Sequence, residues 1–229
     1  MIVPQDTPKS ALLQSEAPNT SRGEATVTDV APPAYEPPSS IAPPNIQPAN
    51  YISLTPHFGE AKGTFVLDPT LLLPHSMRPR SNKMHLSIST VMGEANAVVY
   101  VVGSESLPSG SKTRMEVSSR MGTTKLVVHA PERRAPISVS INNRLGEATL
   151  LLPRSFRGPL RLSNTLGEIT LSKALRAATV SFGDRMFVGQ WRDEELKEKV
   201  WPGDEAVVDS ALGSIFVGYS DELKKACVS

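Results

Sequence analysis

The sequence is short of the features that would place it in several large classes of protein. Its 229 residues include one cysteine, Cys227, so a disulfide framework is excluded and a reducing compartment is expected. The formal net charge of +1 predicts no overall attraction to nucleic acid or to an anionic membrane. No window approaches the ~18 apolar residues of a membrane span, and residues 1–18 lack the basic start and apolar centre of a signal peptide. We therefore expect a soluble cytoplasmic protein.

Motifs that hold cofactors or activate nucleophiles are missing as well. The sequence has no phosphate-binding glycine loop, no zinc-ligand spacing, no dinucleotide fingerprint and no Gly-x-Ser-x-Gly elbow. His57 and His75 have no adjacent cysteine, histidine or carboxylate that would complete a metal site. We expect no catalytic residues, no metal and no cofactor, and hence a protein that is not an enzyme.

Proline, by contrast, is abundant and concentrated near the start of the sequence. Ten of the 20 prolines lie in residues 1–55, among Ser, Thr, Asn and Gln and without a sustained apolar period. Such a segment buries too little apolar surface to offset the entropy lost on ordering, and closely spaced prolines favour extended polyproline II. Residues 1–55 are therefore predicted to be a disordered, proline-rich tail.

One phrase in this tail is typical of a peptide ligand: Pro32-Pro33-Ala34-Tyr35. Pro-Pro-x-Tyr resembles the motif bound by WW domains, which seat the prolines in an aromatic groove and the tyrosine in a neighbouring pocket. An extended segment loses little entropy on binding, so Pro32, Pro33 and Tyr35 are candidate partner-binding residues. The partner would be a WW-domain protein such as a ubiquitin ligase. The alternative is a solvated linker without a partner.

The rest of the chain is organised around a phrase that occurs twice in residues 137–171. Apolar residues from Ile137 to Ile141 alternate with serines, which is the two-residue period of a strand with one buried face. A polar corner with Leu145-Gly146-Glu147 follows, and then a second apolar run. The phrase restarts and passes through Leu166-Gly167-Glu168. This pattern predicts a β-scaffold built by repetition.

The same strand–corner–strand phrase can be followed from residue 84 onward, with linkers of varying length. The expected corner glycines, 29, 24, 21, 16 and 30 residues apart, are Gly93, Gly122, Gly146, Gly167, Gly183 and Gly213. Near-continuous apolar runs such as Thr149–Leu152, and corners longer than a two-residue turn, favour stacked coils. We predict an all-β, solenoid-like stack over residues 56–225, with an antiparallel β-sandwich of hairpins as the alternative.

A short helical insertion is predicted inside this domain. Asp193–Lys199 places acidic residues first and lysines last, as the helix dipole favours. Trp191 and Trp201 bracket the segment. They would either line a partner site or, more simply, cover the end of the β-core, since the ends of a stack need covers.

Two sets of residues on the repeats are candidates for chemistry. Glu94, Glu147 and Glu168 share the position after a corner glycine, and on stacked coils they would form a carboxylate ladder suited to glycan hydrolysis or calcium. Repeated placement at a turn explains them more simply, because a row of like charges repels. His85 and His129 would approach each other if the coils stack, although a pair of strand histidines is more often incidental.

Charge is uneven along the domain. Between Lys112 and Arg161 ten basic residues stand against three acidic ones, a net of +7, whereas Asp184–Glu222 is rich in acidic residues. This predicts either a basic face for an anionic ligand or, more simply, a solvated face whose charges pair between neighbouring coils. The lack of interleaved aromatic residues argues against single-stranded nucleic acid.

Five phrases carry a resemblance to a known family: Thr64–Pro69, Leu152–Leu160, Phe187–Trp191, Gly203–Ala206 and Gly213–Glu222. They resemble an uncharacterised domain family of mushroom-forming fungi, whose members often have proline-rich N-terminal tails. Pro-Arg-Ser-Phe-x-Gly-Pro-Leu is the most distinctive phrase, and the resemblance covers roughly Phe58–Glu222. It implies a fungal origin and a β-repeat domain without a known activity, and it supplies no catalytic residues.

Taken together, these features predict a non-catalytic intracellular interaction module or adaptor. The tail would bind a WW-domain protein and the β-domain would bind a second partner. The rival prediction is a carbohydrate-binding or carbohydrate-active β-solenoid that uses Glu94, Glu147 and Glu168.

Overall fold

The computed structural model describes residues 44–71, 84–102, 111–183, 185–191 and 201–222. The predicted WW ligand, Pro32, Pro33 and Tyr35, lies outside the described residues. The predicted helix Asp193–Lys199 lies outside them as well.

Within these ranges the chain forms fourteen strands and one short helix. The strands are β1 (Ile52–Leu54), β2 (Ala61–Leu67), β3 (Leu86–Met92), β4 (Ala95–Val101), β5 (Thr113–Met121), β6 (Thr124–His129), β7 (Ile137–Leu145), β8 (Ala148–Leu152), β9 (Gly158–Leu166), β10 (Ile169–Leu171), β11 (Thr179–Phe182), β12 (Arg185–Val188), β13 (Glu205–Leu212) and β14 (Ile215–Tyr219). The helix is α1 (Lys173–Ala177).

The strands form two sheets. The eight-stranded sheet has the order β1-β3-β5-β7-β13-β9-β12-β11, and the six-stranded sheet has the order β10-β14-β8-β6-β4-β2. Among the described strands, neighbours are parallel except for β9–β12 and β12–β11. Parallel neighbours need a crossover, and here the crossover runs through the other sheet. The all-β fold predicted from the alternation is confirmed.

The repeated unit is a strand of the eight-stranded sheet, a glycine corner and a strand of the six-stranded sheet. In chain order the units are unit 1 (β1–β2), unit 2 (β3–β4), unit 3 (β5–β6), unit 4 (β7–β8), unit 5 (β9–β10) and unit 6 (β13–β14). The register aligns the corners of neighbouring units, because Met92 pairs with Met121 and Met121 pairs with Leu145, each directly before its glycine.

The units do not stack in chain order. β13 pairs with β7 on one side and with β9 on the other, and β14 lies in the same way between β8 and β10. The spatial order is therefore 1-2-3-4-6-5, with unit 6 inserted between units 4 and 5. The hairpin β11–β12, which precedes unit 6 in the chain, extends the eight-stranded sheet beyond β9.

The core is built by the strand alternation that the sequence shows. Ile137 and Ile141 of β7 and Leu150 and Leu152 of β8 are fully buried between the sheets. Burying an aliphatic side chain of this size contributes about 1.5–3 kcal/mol. A unit thus gains its core when a neighbouring unit covers it, which is why stacking and folding go together.

One expected corner glycine lies elsewhere, and a further corner was not expected. Gly183, with φ of +63°, is in the turn of the antiparallel hairpin, where Phe182 pairs with Arg185. The corner of unit 1 is Gly59, and Phe58 pairs there with Met92. The apolar-Gly-Glu-Ala order of residues 58–61 repeats that of residues 92–95 and is the signal for this corner.

The start of the domain and the helix also differ from expectation. Ile52–Leu54, within the segment assigned to the tail on composition, form β1 and pair with β3, because their short alternation fits the edge of the sheet. The sequence pattern does not predict α1. Ser172 caps this helix by accepting a hydrogen bond from the Leu175 N–H at 3.2 Å, and Leu175 is buried.

Aromatic side chains cluster around the hairpin. Phe187 contacts Trp191 and Trp201 edge to face, with ring centroids 5.4 and 5.0 Å apart, and Phe182 contacts Trp191 at 5.4 Å. β11 and β12 are the last strands of the eight-stranded sheet. The two tryptophans therefore lie where a cover for the end of the stack is expected.

Candidate interaction surface

A ladder of backbone hydrogen bonds joins the glycine corners. The N–H of Gly122 donates to the carbonyl of Leu145 at 2.8 Å, and each corner glycine of units 2 to 6 has φ between +123° and +143°. A Cβ on Gly146 would lie 2.8 Å from the carbonyl carbon of Gly122 and nearer still to its oxygen. Glycine alone allows neighbouring corners to approach this closely.

The residue before each corner glycine is apolar and exposed. Phe58 is 75% exposed and Leu166 64%, and the four between them are 38–47% exposed. In stacking order, the six are Phe58, Met92, Met121, Leu145, Leu212 and Leu166, which we call the corner row. Because neighbouring strands lie ~4.8 Å apart, the row is about 24 Å long.

The corner row is exposed because polar side chains close the core two residues before it. These buried or half-buried inward residues are Thr90, Ser119, Asn143, Ser210 and Asn164. The Thr90 hydroxyl donates to that of Ser119 at 3.1 Å, and the Asn143 amide donates to the Gly122 carbonyl at 3.2 Å. The bond from Asn143, like that from the Ser119 hydroxyl to the Gly93 carbonyl at 3.3 Å, satisfies a backbone carbonyl at the corner that an apolar side chain would leave without this donor. The next inward-facing position of each strand, which holds the corner-row residue, therefore lies beyond the core.

Side chains of opposite charge flank the corner row. On the side of the eight-stranded sheet, Arg120 and Arg144 precede the row residues of units 3 and 4 and are exposed. On the side of the six-stranded sheet, the position after the corner glycine is Glu60, Glu94, Glu147 or Glu168 in four units. Arg120, Arg144 and Glu147 form no ion pair with another described residue.

The predicted carboxylate ladder is interrupted. Thr123 lies between Glu94 and Glu147 in the stack, and Ser214 lies between Glu147 and Glu168. Strand spacing puts the backbones of successive glutamates of the predicted ladder ~10 Å apart along the stack, whereas retaining and inverting glycosidases hold their two carboxyl groups ~5–5.5 Å and ~6.5–9.5 Å apart.

The environment of Glu94 also differs from that of a catalytic acid. Lys62 Nζ lies 2.8 Å from its carboxylate and 2.9 Å from that of Glu60. The hydrogen bond from Lys62 lowers the pKa of Glu94. A general acid in glycan hydrolysis needs the opposite, a raised pKa.

The two histidines lie at strands of different sheets: His85 directly precedes β3, and His129 is the last residue of β6. The Nδ1 of His85 accepts a hydrogen bond from the Arg114 N–H at 3.0 Å, and burial, followed by the Arg114 charge, lowers the pKa of His85. His129 ends β6, and its ring centroid lies 4.8 Å from that of Tyr100 on β4. Each histidine thus has a structural contact close to its own strand.

Part of the predicted basic face is neutralised by the acid-rich region. Lys112 Nζ lies 3.1 Å from a Glu205 oxygen, and Arg154 Nε lies 3.0 Å from Asp221. Arg154 also stacks over the Tyr219 ring, 4.2 Å from its centroid. These contacts agree with the simpler interpretation, in which the charges pair within the fold.

A further ion pair, between Arg134 and Asp204, is buried and holds the inserted unit. Arg134 and Asp204 make two hydrogen bonds at 2.7 and 2.8 Å, and their side chains are 3% and 7% exposed. Asp204 also accepts the N–H groups of Ile137 and Arg157 at 2.9 and 3.0 Å. Asp204 directly precedes β13, Ile137 begins β7 and Arg157 directly precedes β9. The Asp204 carboxylate therefore links unit 6 to both of its neighbours.

Sequence reasoning missed the corner row. Strict alternation from Ile137 makes Leu145 an inward residue, and the polar Asn143 is the one sign that the core has already ended. A polar residue at an inward position directly before an apolar-Gly pair is therefore the signal that could have identified the row.

The described part of the chain lacks two features that would indicate other functions. No group of three or more His, Cys, Asp or Glu is placed there to hold a metal ion. No helix there is both long and apolar enough to cross a membrane. The candidate site is the corner row with its charged flanks, because its six apolar side chains are exposed on one edge.

Comparison with known proteins gives a family. The model of DUF7330, described as a domain of unknown function, matches residues 50–222. The crystal structure of a "putative cell adhesion protein" from Clostridium sporogenes ATCC 15579 is similar at 14% identity and a TM-score of 0.45, over 75% of this chain and 93% of that one. No curated protein matches the chain at a significant level.

Proposed function

The chain belongs to the DUF7330 family of domains of unknown function, and we propose that it is a non-catalytic protein-interaction module of the cytoplasm. The observation that carries this proposal is the corner row, in which six units each place one exposed apolar side chain on the same edge. Packing in the hydrophobic core cannot explain these apolar residues, because their side chains are exposed outside it.

The size of the row supports an interaction surface. Its six side chains expose on the order of 500 Å² of contiguous apolar surface, near the upper end of the ~300–600 Å² found for the largest patch of a typical monomer. The backbone ladder fixes the spacing of the side chains, so little backbone entropy is lost when a partner covers them. A rigid, apolar edge with charged flanks is suited to a protein partner.

The tail supplies a second arm in this proposal. Pro32, Pro33 and Tyr35 bind a WW-domain protein such as a ubiquitin ligase, and the chain then acts as an adaptor between it and the partner on the corner row. The motif and its flanking prolines support this role, because polyproline II is the conformation that WW grooves accept.

Carbohydrate binding or hydrolysis has less support from the geometry. Glu94, Glu147 and Glu168 are separated by Thr123 and Ser214, and the pKa of Glu94 is lowered rather than raised. We therefore do not propose the carbohydrate function.

Titration of the full chain with a panel of WW domains tests the adaptor arm. We expect a micromolar Kd for at least one domain, and at least a tenfold loss in Tyr35→Ala, because the tyrosine has a pocket of its own. Pro43→Ala, which changes a proline of the same segment outside the motif, is the matched control and should bind like the parent chain. Binding that is absent, or equal in Tyr35→Ala, would remove the tail from the proposed function.

A further inference from the structure

We propose that the partner covering the corner row is a second copy of this chain, docked with its two-fold axis parallel to the row. This inference rests on the proposed interaction function and names the partner. It is carried by the charges on the two flanks of the row and by the spacing of the units.

The charges select the orientation of the two copies. A two-fold axis along the row exchanges its flanks and sets each unit against the same unit of the partner, so Arg144 faces the partner's Glu147 and Arg120 faces the partner's uncharged Thr123. An axis across the row would place arginine over arginine and glutamate over glutamate, which like-charge repulsion disfavours. A closed, isologous dimer therefore has one favoured arrangement.

Unit 4 shows the complementarity within a single corner. Arg144, Leu145, Gly146 and Glu147 follow one another across the edge, so a cation, an apolar side chain and a carboxylate lie in line. The proposed axis brings Arg144 opposite the partner's Glu147, and Glu147 opposite the partner's Arg144. Both side chains are exposed, and neither forms an ion pair with another described residue.

The spacing of the units also matches that of a second copy. Both rows repeat every ~4.8 Å because both are set by strand pairing, so contacts stay in register along the whole row. A lipid surface fits less well, because Glu60, Glu94, Glu147 and Glu168 would face anionic headgroups beside the apolar side chains. The observations therefore favour a copy of the chain over a membrane.

The area of the surface sets the expected affinity. The row and its flanks measure about 24 Å by about 20 Å, so a dimer buries on the order of 1,000 Å² in total, at the low end for specific interfaces. Interfaces of this size are weak and transient, so we expect a Kd on the order of 10 µM.

Sedimentation velocity on the full chain, from about 1 to 300 µM, tests the dimer. We expect Arg144→Glu and Glu147→Arg each to weaken self-association at least tenfold, because each variant sets like charges against each other twice per dimer. An equimolar mixture of the two variants should regain the dimer, because at residues 144 and 147 every cation again faces a carboxylate. Arg161→Glu, an exposed charge change away from the row, is the control and should leave the dimer unchanged.

Disulfide trapping tests the direction of the axis. In a Cys227→Ser background, Phe58→Cys and Leu166→Cys, at opposite ends of the row, should each form a cross-linked dimer on their own, since the axis sets every row residue against itself. Cross-links that form only when the two cysteine variants are mixed would overturn the proposed axis.

Three outcomes would overturn the dimer itself. They are a monomer at every concentration, a dimer indifferent to both charge variants, and a monomer whose binding to phosphatidylserine vesicles is lost in Met121→Gln. The WW titration depends on Tyr35 and not on the corner row, so either result can fail while the other holds.

Discussion

Alanine in place of a corner glycine tests whether close backbone contact holds the units together. Gly146 has φ of +123°, a conformation that costs a residue with a side chain about 1–3 kcal/mol. The added Cβ would also overlap the Gly122 carbonyl, 2.8 Å from its carbon. Relieving that overlap moves units 3 and 4 apart and breaks the bonds from Gly122 N–H to Leu145 and from Asn143 to Gly122, about 1–3 kcal/mol more. We expect Gly146→Ala to lower the free energy of unfolding by about 2–6 kcal/mol.

Gly59 provides the matched control. It is the same corner in unit 1, with φ of +96°, but nothing lies within 4 Å of a Cβ placed there. Gly59→Ala should therefore show the conformational cost alone, about 1–3 kcal/mol. Urea unfolding followed by circular dichroism compares the two variants with the parent chain. A difference between them below about 1 kcal/mol would refute the steric argument.

Three further predictions follow from burial and charge. Asp204→Ala leaves Arg134 buried without its counter-charge and should lower the free energy of unfolding in urea by about 3–5 kcal/mol; a loss below about 1 kcal/mol would show that this carboxylate does not hold unit 6. Met115→Ala, at a side chain 1% exposed, should cost about 2–5 kcal/mol, whereas Met121→Ala in the same strand, at 47% exposed, should cost under about 0.5 kcal/mol; equal losses would place Met121 in the core. The pKa of His85 is lowered from its usual 6.5, so as the pH falls the unfolded chain binds this proton first and stability declines. His85→Gln should flatten the decline in thermal unfolding temperature between pH 7 and 5.5, and an unchanged slope would contradict this.

Local signals predicted the strands and most corners of this fold. Each repeat contains a two-residue apolar period and a corner glycine, so β7, Gly146 and β8 could be located from their own residues. The order of the units could not be predicted in this way. β13 carries the same period as its neighbours, and its place between β7 and β9 depends on pairings and on the Arg134–Asp204 contact, which join residues far apart in the sequence.

The candidate site was harder to predict than the fold. Leu145 occupies a position that strict alternation assigns to the core, and it is exposed because of the corner geometry and not because of its residue type. The carboxylate candidates were placed at the right corners, but the insertion of Ser214 between Glu147 and Glu168 depends on the order of stacking. The WW motif at Pro32, Pro33 and Tyr35 remains a prediction.

The inserted position of unit 6 has a consequence for biosynthesis. It is the last of the six units to leave the ribosome, yet it lies between two units made earlier. Until residues 205–219 emerge, β7 and β9 each lack a partner on one side, and unpaired strand edges readily bind other chains. β8 and β10 lack β14 in the same way, so the nascent protein carries open strand edges that the finished one conceals, and the risk of aggregation is greatest during translation. A chaperone that shields edges would matter most over that interval.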